Sequence, residues 1–361
     1  MSNKILSVIV PAYNMEAYLA QCIESVVPNS PLSARVEVVV VNDGSKDDTS
    51  NIAHRYAEKY PDIVRVIDKE NGHYGSTINA ALEVVRGEYV KILDADDMFD
   101  VDLMDRFLEA LSTGVDMVIT PFIEVGNNCK RKIGYNLYSR NLYEEGRAYD
   151  IEQIFADGAI RFFMMHGVCY RTQLLREMAY RQSEGIAYTD QEWVFYPLFK
   201  VKSAAFADVP IYQYNTTREG RSMDAQTQIR SISQLVSVTE ALARYFVANR
   251  EALSSQVRAA FLRNIVADRV KIVYRKYLLA MPNKVFAISD FKEVDKRLTA
   301  LLAECEIEAL RVPVNNLLQV DLLARWRSKG RRHSAFARNL LSWADETMVW
   351  AHSILFRRKK D

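Results

Sequence analysis

Three short apolar runs constrain this chain more than anything else in it: residues 5–10, 36–41 and 89–93, each halted by a polar turn. Runs of this length, rich in β-branched residues and without polar alternation, suit strands covered on both faces, as in parallel sheets. Between the first two, Tyr18, Leu19, Cys22, Ile23 and Val26 recur at helical spacing, until Pro28 and Pro31 break the pattern. After the second, Asp47, Asp48 and Thr49 offer N-caps for a helix through Ile52, Ala53, Tyr56 and Ala57. Residues 63–67 predict a third strand, Asn71-Gly72 a turn, and 76–85 a helix leading to the run at 89–93. A helix over 103–111 and a strand over 117–120 continue the alternation. Strands and helices in this rhythm predict an α/β layered domain with a mostly parallel sheet.

In such sheets ligands bind beyond the carboxyl ends of the strands. The run at 89–93 ends in three carboxylates, Asp94, Asp96 and Asp97. On an extended backbone Asp94 and Asp96 point to one side and Asp97 to the other. Like charges about 4 Å apart repel by roughly 4 kcal/mol at an effective dielectric near 20. The cluster therefore calls for a cation, and a hard divalent ion takes oxygen ligands of this kind. Capping the next helix is the plainer use of the same residues, and Asp97 suits it.

A length of 361 residues fits two domains or three, and 49% hydrophobic with 26% charged residues is ordinary for a soluble globular protein. A net charge of +1 gives no global field for nucleic acid. Cys22, Cys129, Cys169 and Cys305 have no metal-ligand spacing, so they read as reduced thiols and argue against zinc. The N-terminus runs into the first strand without a cleavage-site pattern, and no apolar stretch is long enough to span a bilayer. The expected location is cytoplasmic. Between 126 and 150 the pattern weakens to an irregular or short-stranded segment. Strands are expected over 166–170, 204–209 and 211–214, with a helix opened by residues 187–193 and running to about Phe199, for which Thr189 and Asp190 are the N-cap candidates. After 224 glycine nearly vanishes and apolar residues recur at helical spacing over 231–250, 256–279 and 294–302, with Pro282 and Pro313 as breakers.

Val8-Ile-Val-Pro11-Ala12-Tyr13-Asn14, Val40-Val-Asn42-Asp43-Gly44-Ser45 and Asp94-Ala95-Asp96-Asp97 occur in this order, each after a buried strand. Together they resemble the nucleotide-sugar domain of family 2 glycosyltransferases, which have the GT-A fold. The likeness continues more loosely to about residue 222. It implies a GT-A catalytic domain over 1–223, with the nucleotide part about 1–125 and the acceptor part 126–223; the helical module over 224–361, read from its spacing, lies outside the likeness. It places Pro11, Ala12, Tyr13, Asp43, Asn71, Asp94 and Ala95 around the nucleotide, with Asp43 accepting the uracil N3–H and Asp94 on the ribose. Asp96 would hold Mn2+ or Mg2+ bridging the two phosphates. Relatives carry a Glu-Asp pair at the start of a later helix; here the stretch is Tyr188-Thr189-Asp190-Gln-Glu192-Trp193, which makes Asp190 the candidate base and Glu192 the reserve. One base serves a direct, inverting displacement. Lys91 either pairs with an acid or reaches the sugar or diphosphate, and Arg221, in the loop after Tyr212-Gln-Tyr214, matches phosphate geometry. Asn71-Gly72-His73-Tyr74-Gly75 departs from relatives, which usually continue into Ala-Arg-Asn; the missing arginine's contact would fall to Lys91, His73 or Arg221.

The resemblance implies transfer from a nucleotide sugar, UDP-linked, to a glycan or lipid-linked acceptor in bacterial surface or capsular polysaccharide synthesis. Two rivals remain: a nucleotidyltransferase of related fold, which would need a Gly-rich basic loop where Pro11-Ala12-Tyr13 stands, and a non-catalytic membrane-bound scaffold. The tail sets Trp343, Trp350 and Phe356 between Arg325, Arg327, Lys329, Arg331, Arg332 and the closing Arg357–Lys360 cluster. That pattern suits a helix lying peripherally on an anionic inner membrane face; docking on the helical module or a contact between two copies in a homo-oligomer are the alternatives.

Overall fold

The computed structural model describes residues 4–27, 34–126, 129–134, 142–158, 160–218, 231–280, 288–313 and 321–329. The apolar runs form β1 (Leu6–Ala12), β2 (Val36–Asn42), β3 (Val64–Asp68) and β4 (Tyr89–Ile92), all parallel in the order β3-β2-β1-β4. β1 and β2 are buried along their whole length, which their lack of polar alternation requires. Helices α1 (Leu19–Val26), α2 (Thr49–Lys59) and α3 (His73–Leu82) connect them. Leu19, Cys22, Ile23 and Val26 of α1 and Ile52 and Ala53 of α2 pack against Val8, Val10, Val38 and Val40 in one core. Because successive strands run the same way, the motifs after β1, β2 and β4 collect at one edge of the sheet.

Beyond β4 the chain adds β5 (Met98–Phe99), α4 (Met104–Leu111), β6 (Met117–Ile119), β7 (Phe122–Val125), β8 (Lys130–Ile133) and β9 (Ala148–Asp150). It continues with α5 (Ile151–Ala156), β10 (Val168–Arg171), α6 (Thr172–Glu177), α7 (Asp190–Phe195), β11 (Ser203–Phe206) and β12 (Tyr212–Asn215). The large sheet has the order β3-β2-β1-β4-β10-β6-β11-β9. β10 lies antiparallel to both β4 and β6. A smaller sheet, β5-β12-β7-β8, returns the later chain to the turn after β4. The mostly parallel α/β expectation holds, with β10 inserted antiparallel and β9 antiparallel to β11 at the edge.

The chain divides into two compact units, Met1–Glu219 with Ala252–Phe261, and Gly220–Glu251 with Leu262–Asp361. The second is helical. In it Phe291 stacks on Tyr277 at 4.6 Å and meets Trp326 at 4.4 Å, and buried Asp295 accepts from Tyr274 Oη and Arg327 Nη2. Arg327, grouped above with the tail's basic residues, is thus bound inside this unit, where it also reaches Thr299. The aromatic tail beyond residue 329 lies outside the described residues. Among the described residues no helix is long and apolar enough to cross a membrane.

Candidate active site

The loops after β1 and β2 are tied together. Asn14, held at φ 53°, donates its backbone N–H to Ser45 Oγ and accepts from Lys46 N, while Met15 N donates to Thr49 Oγ1. Pro11 and Ala12 are buried and Tyr13, the next residue, is 42% exposed, so an aromatic face stands at the strand end. Asp43 lies beside it, 3% exposed. Its Oδ1 accepts from Lys69 Nζ at 2.8 Å and from Gly72 N at 3.0 Å, and Asn71 Nδ2 donates to its backbone carbonyl. Among the described residues every hydrogen bond to this carboxylate falls on Oδ1, so Oδ2 can accept a ligand N–H. Gly44 is required here: φ is +72°, and a Cβ would stand 3.0 Å from Asn71 N.

The carboxylates after β4 sit on a turn, not on extended backbone. Asp97 N donates to Asp94 O at 2.9 Å, so the expected alternation of sides does not apply. Asp97 is no helix cap either. It is 1% exposed and accepts from Tyr212 Oη at 2.5 Å and Asn215 N at 2.7 Å, which bind β12 to the turn. Asp94 Oδ1 accepts from Tyr74 Oη at 2.8 Å. Asp96 accepts no hydrogen bond on its carboxylate among the described residues; Arg218 Nε lies 2.8 Å from its Oδ2. Burial, then the charge of Asp96, push the Asp94 carboxyl up to about 7, opposed by the Tyr74 hydrogen bond and by Arg218. Asp97 is held well above its ordinary range by burial and then by the charges of Asp94 and Asp96, against its hydrogen bonds from Tyr212 and Asn215.

Asp190 reaches this cluster from the far side of the chain. It is the first residue of α7; Thr189 stands at the N-cap without a side-chain capping bond. Its charge contributes to raising both Asp94 and Tyr74. The segment that delivers it is latched to α3. Asn79 Nδ2 donates to Gln182 O at 2.9 Å and to Glu184 Oε1 at 2.8 Å, its Oδ1 accepts from Gln182 N at 2.8 Å, and Gly185 N donates to Gly72 O. Gly75 permits the contact, since a Cβ there would stand 2.0 Å from Ser183 O. Glu192, the reserve base, is fully buried and accepts from Ser183 N at 2.6 Å and Ser183 Oγ at 2.7 Å. Both of its oxygens are spent on holding this segment.

Other expectations need correction. Lys91 does not reach a ligand or an acid. It is wholly buried, donates to the backbone carbonyls of His166 at 2.8 Å and Val168 at 3.2 Å, and lies over the rings of Phe107 and Tyr212. Burial lowers its pKa to about 8. The antiparallel entry of β10 beside β4 supplies those carbonyls, and nothing near Lys91 in the sequence announces them. Arg221 lies outside the described residues. The guanidinium at the cluster is that of Arg218. His73 opens α3 with φ 65° and is exposed. Tyr74 carries no role in the sequence reading, although the departure at His73-Tyr74-Gly75 is its signal.

The donor set fits a hard divalent ion. One oxygen each of Asp94 and Asp97 and a ring nitrogen of His166 lie within 4.8 Å of one another. His166 Nδ1 has no hydrogen-bond partner, and burial and Lys91 push its pKa to about 3, which keeps the ring neutral. Asp97 is already satisfied by Tyr212 and Asn215, Asp94 accepts from Tyr74 on one oxygen, and Asp96 lies outside this group of three. At Asp96 a guanidinium already stands where a cation is wanted.

The family described as glycosyl transferase family 2 matches residues 7–178. Putative glycosyltransferase EpsH of Bacillus subtilis (strain 168) is 26% identical over 219 residues, which is 59% of this chain and 61% of EpsH. The match thus spans less than two thirds of that relative. Among solved structures, S. aureus TarS in complex with UDP-GlcNAc superposes with a TM-score of 0.50 at 19% identity, covering 86% of this chain and 95% of that one. Mannosyltransferase PcManGT from Pyrobaculum calidifontis, in complex with GDP-Man and Mn2+, gives 0.51 at 15% identity, covering 99% and 88%. Both share this chain's fold.

Proposed function

We propose, from the match of residues 7–178 to glycosyl transferase family 2, that this chain transfers a sugar from a UDP-sugar to a hydroxyl acceptor with inversion of the anomeric centre. What supports this reading is that Asp190, far from Asp94 in sequence, opens α7 close enough for its charge to help raise the Asp94 carboxyl, while Asp43 stands at the end of β2 in the same parallel sheet. Tyr13 offers a ring for the base to stack on, and Asp43 Oδ2 accepts the N3–H of uracil. A guanine base, as in the PcManGT complex, presents a different edge; the TarS complex holds the UDP form. Asp94, neutral or hydrogen-bonded through Tyr74, faces the ribose, and Asp94 and Asp96 would hold Mn2+ or Mg2+. When bound, such an ion supplies Lewis-acid stabilisation of the charge on the departing diphosphate. Asp190 takes the proton of the acceptor hydroxyl as that oxygen attacks.

The catalytic domain in this reading is 1–223 and the helical module 224–361. Surface polysaccharide assembly on the cytoplasmic side, with a glycan or lipid-linked acceptor and the basic aromatic tail against anionic lipid, suits the chemistry. The deciding experiment is a panel of UDP- and GDP-sugars assayed for hydrolysis and transfer with Mn2+ or Mg2+. Turnover of a UDP-sugar, lost in Asp96→Asn and Asp190→Asn, is expected. Turnover of GDP-sugars alone would overturn the uracil assignment, and full activity of Asp190→Asn would overturn the base.

A further inference from the structure

Arg218 links two parts of the site that the reading above treats separately. Its Nε stands 2.8 Å from Asp96 Oδ2, with the Arg218 side chain 23% and the Asp96 side chain 15% exposed. The contact is a charge pair and not a directed hydrogen bond, for Nε has no hydrogen-bond partner. The rest of the side chain crosses to the segment after β1, where Nη1 lies 3.8 Å from Met15 Sδ and the guanidinium 6.0 Å from the Tyr18 ring centre. That segment carries Tyr13 and the hydrogen bonds that fix the loop after β2. Arg218 therefore spans from the proposed ion-holding carboxylate to the proposed nucleotide wall.

We propose that Arg218 is an exchangeable counter-ion: it and the divalent ion compete for Asp96, and the guanidinium displaced by the ion moves onto the diphosphate. This rests on the reading of Asp96 as an ion ligand. Two cations cannot both neutralise one carboxylate oxygen at contact distance, because their mutual repulsion is at least as large as the attraction the guanidinium gains. A pair held without hydrogen-bond alignment has only its charge attraction to exchange, and both members are re-paired when an ion takes the carboxylate and a phosphate takes the guanidinium. The released guanidinium needs an anion, and a diphosphate carries the fork-matching oxygens it prefers. Nucleotide and ion then favour each other's binding by more than their direct contact explains, since each removes an obstacle for the other.

The exchange makes two measurements move in opposite directions. In Arg218→Gln, Mn2+ binding without nucleotide, followed by electron paramagnetic resonance titration, should tighten about fivefold, because the competing charge is gone. In the same variant UDP binding in the presence of Mn2+ should weaken and kcat should fall. Arg218→Lys, which keeps the competing charge, should hold nucleotide-free Mn2+ affinity near the wild-type value. A merely structural arginine would weaken both ligands together. Mn2+ affinity that is unchanged or weaker in a folded Arg218→Gln protein, checked by circular dichroism, refutes the exchange while the ion site stands. Tightening in Arg218→Lys equal to that in Arg218→Gln also refutes it. If the wild-type protein binds no Mn2+ even with UDP, the ion site itself is wrong and the exchange falls with it.

Discussion

Replacing Asp94 by asparagine should stabilise this protein while abolishing its activity. Asp94 is pushed from its ordinary 3.8 up to about 7, by burial first and then by the charge of Asp96. A carboxyl whose folded pKa exceeds its unfolded one binds its proton more tightly in the folded state. Its stabilising share is therefore complete below about pH 4 and is lost as pH rises through about 7. At roughly 1.4 kcal/mol per unit, three units set an upper limit of about 4 kcal/mol at pH 8. Titration is shared with the neighbouring acids, so about 2 kcal/mol is the working figure. Asparagine cannot ionise, and its side-chain oxygen can still accept from Tyr74 Oη. For a catalytic unit of this size that corresponds to roughly 4–8 °C in melting temperature. Melting curves of wild type and Asp94→Asn from pH 5 to pH 8, without nucleotide or metal, test it. The variant should melt higher, and the gap should widen with pH. A variant that melts lower at pH 8, or a gap of equal size at both ends, would show that Asp94 is not a strained carboxylate.

Asp190→Asn should lower kcat by roughly a hundredfold to ten-thousandfold with UDP affinity retained, as loss of a general base does; isothermal titration separates the two effects. Glu192→Gln should act on structure instead, giving a lower melting temperature and a much smaller fall in kcat, because Glu192 accepts both hydrogen bonds from Ser183. Lys91→Met should cost about 2 kcal/mol in urea unfolding, by leaving the His166 and Val168 carbonyls short of a donor, and should leave the donor KM unchanged. Gly75→Ala should destabilise by about 2–3 kcal/mol, because the added methyl meets the Ser183 carbonyl. Its kcat should suffer more than its UDP affinity, and equal losses in both would speak against the latch.

What was legible in the sequence is the part of the fold governed by neighbours along the chain. β1, β2 and β4 are apolar on both faces because helices cover them, and that pattern shows in any window of six residues. Asp43 and Asp94 follow β2 and β4 and Asp190 opens α7, positions the local pattern marks, whereas the roles expected of them came from the family resemblance. The roles of Lys91 and Asp97 were not. Lys91 finds its acceptors on the segment at 166–168, and Asp97 its donors on Tyr212 and Asn215. Both depend on β10 and β12 returning beside β4, which no local pattern encodes. Tyr74 was hidden differently: α3 begins at His73, three residues before the periodicity suggests, and that earlier start turns a presumed loop tyrosine toward Asp94.

The seam where Asn79 and Gly75 meet residues 182–185 bears on how such proteins diversify. Exchange of acceptor-side segments between relatives is an obvious route to new linkages. Here the piece carrying Asp190 is keyed to α3 by Asn79 and by a gap too small for a methyl group. A chimera that takes 180–192 from one parent and 73–82 from another would join mismatched halves of that key. Productive crossovers should keep the two stretches from the same parent.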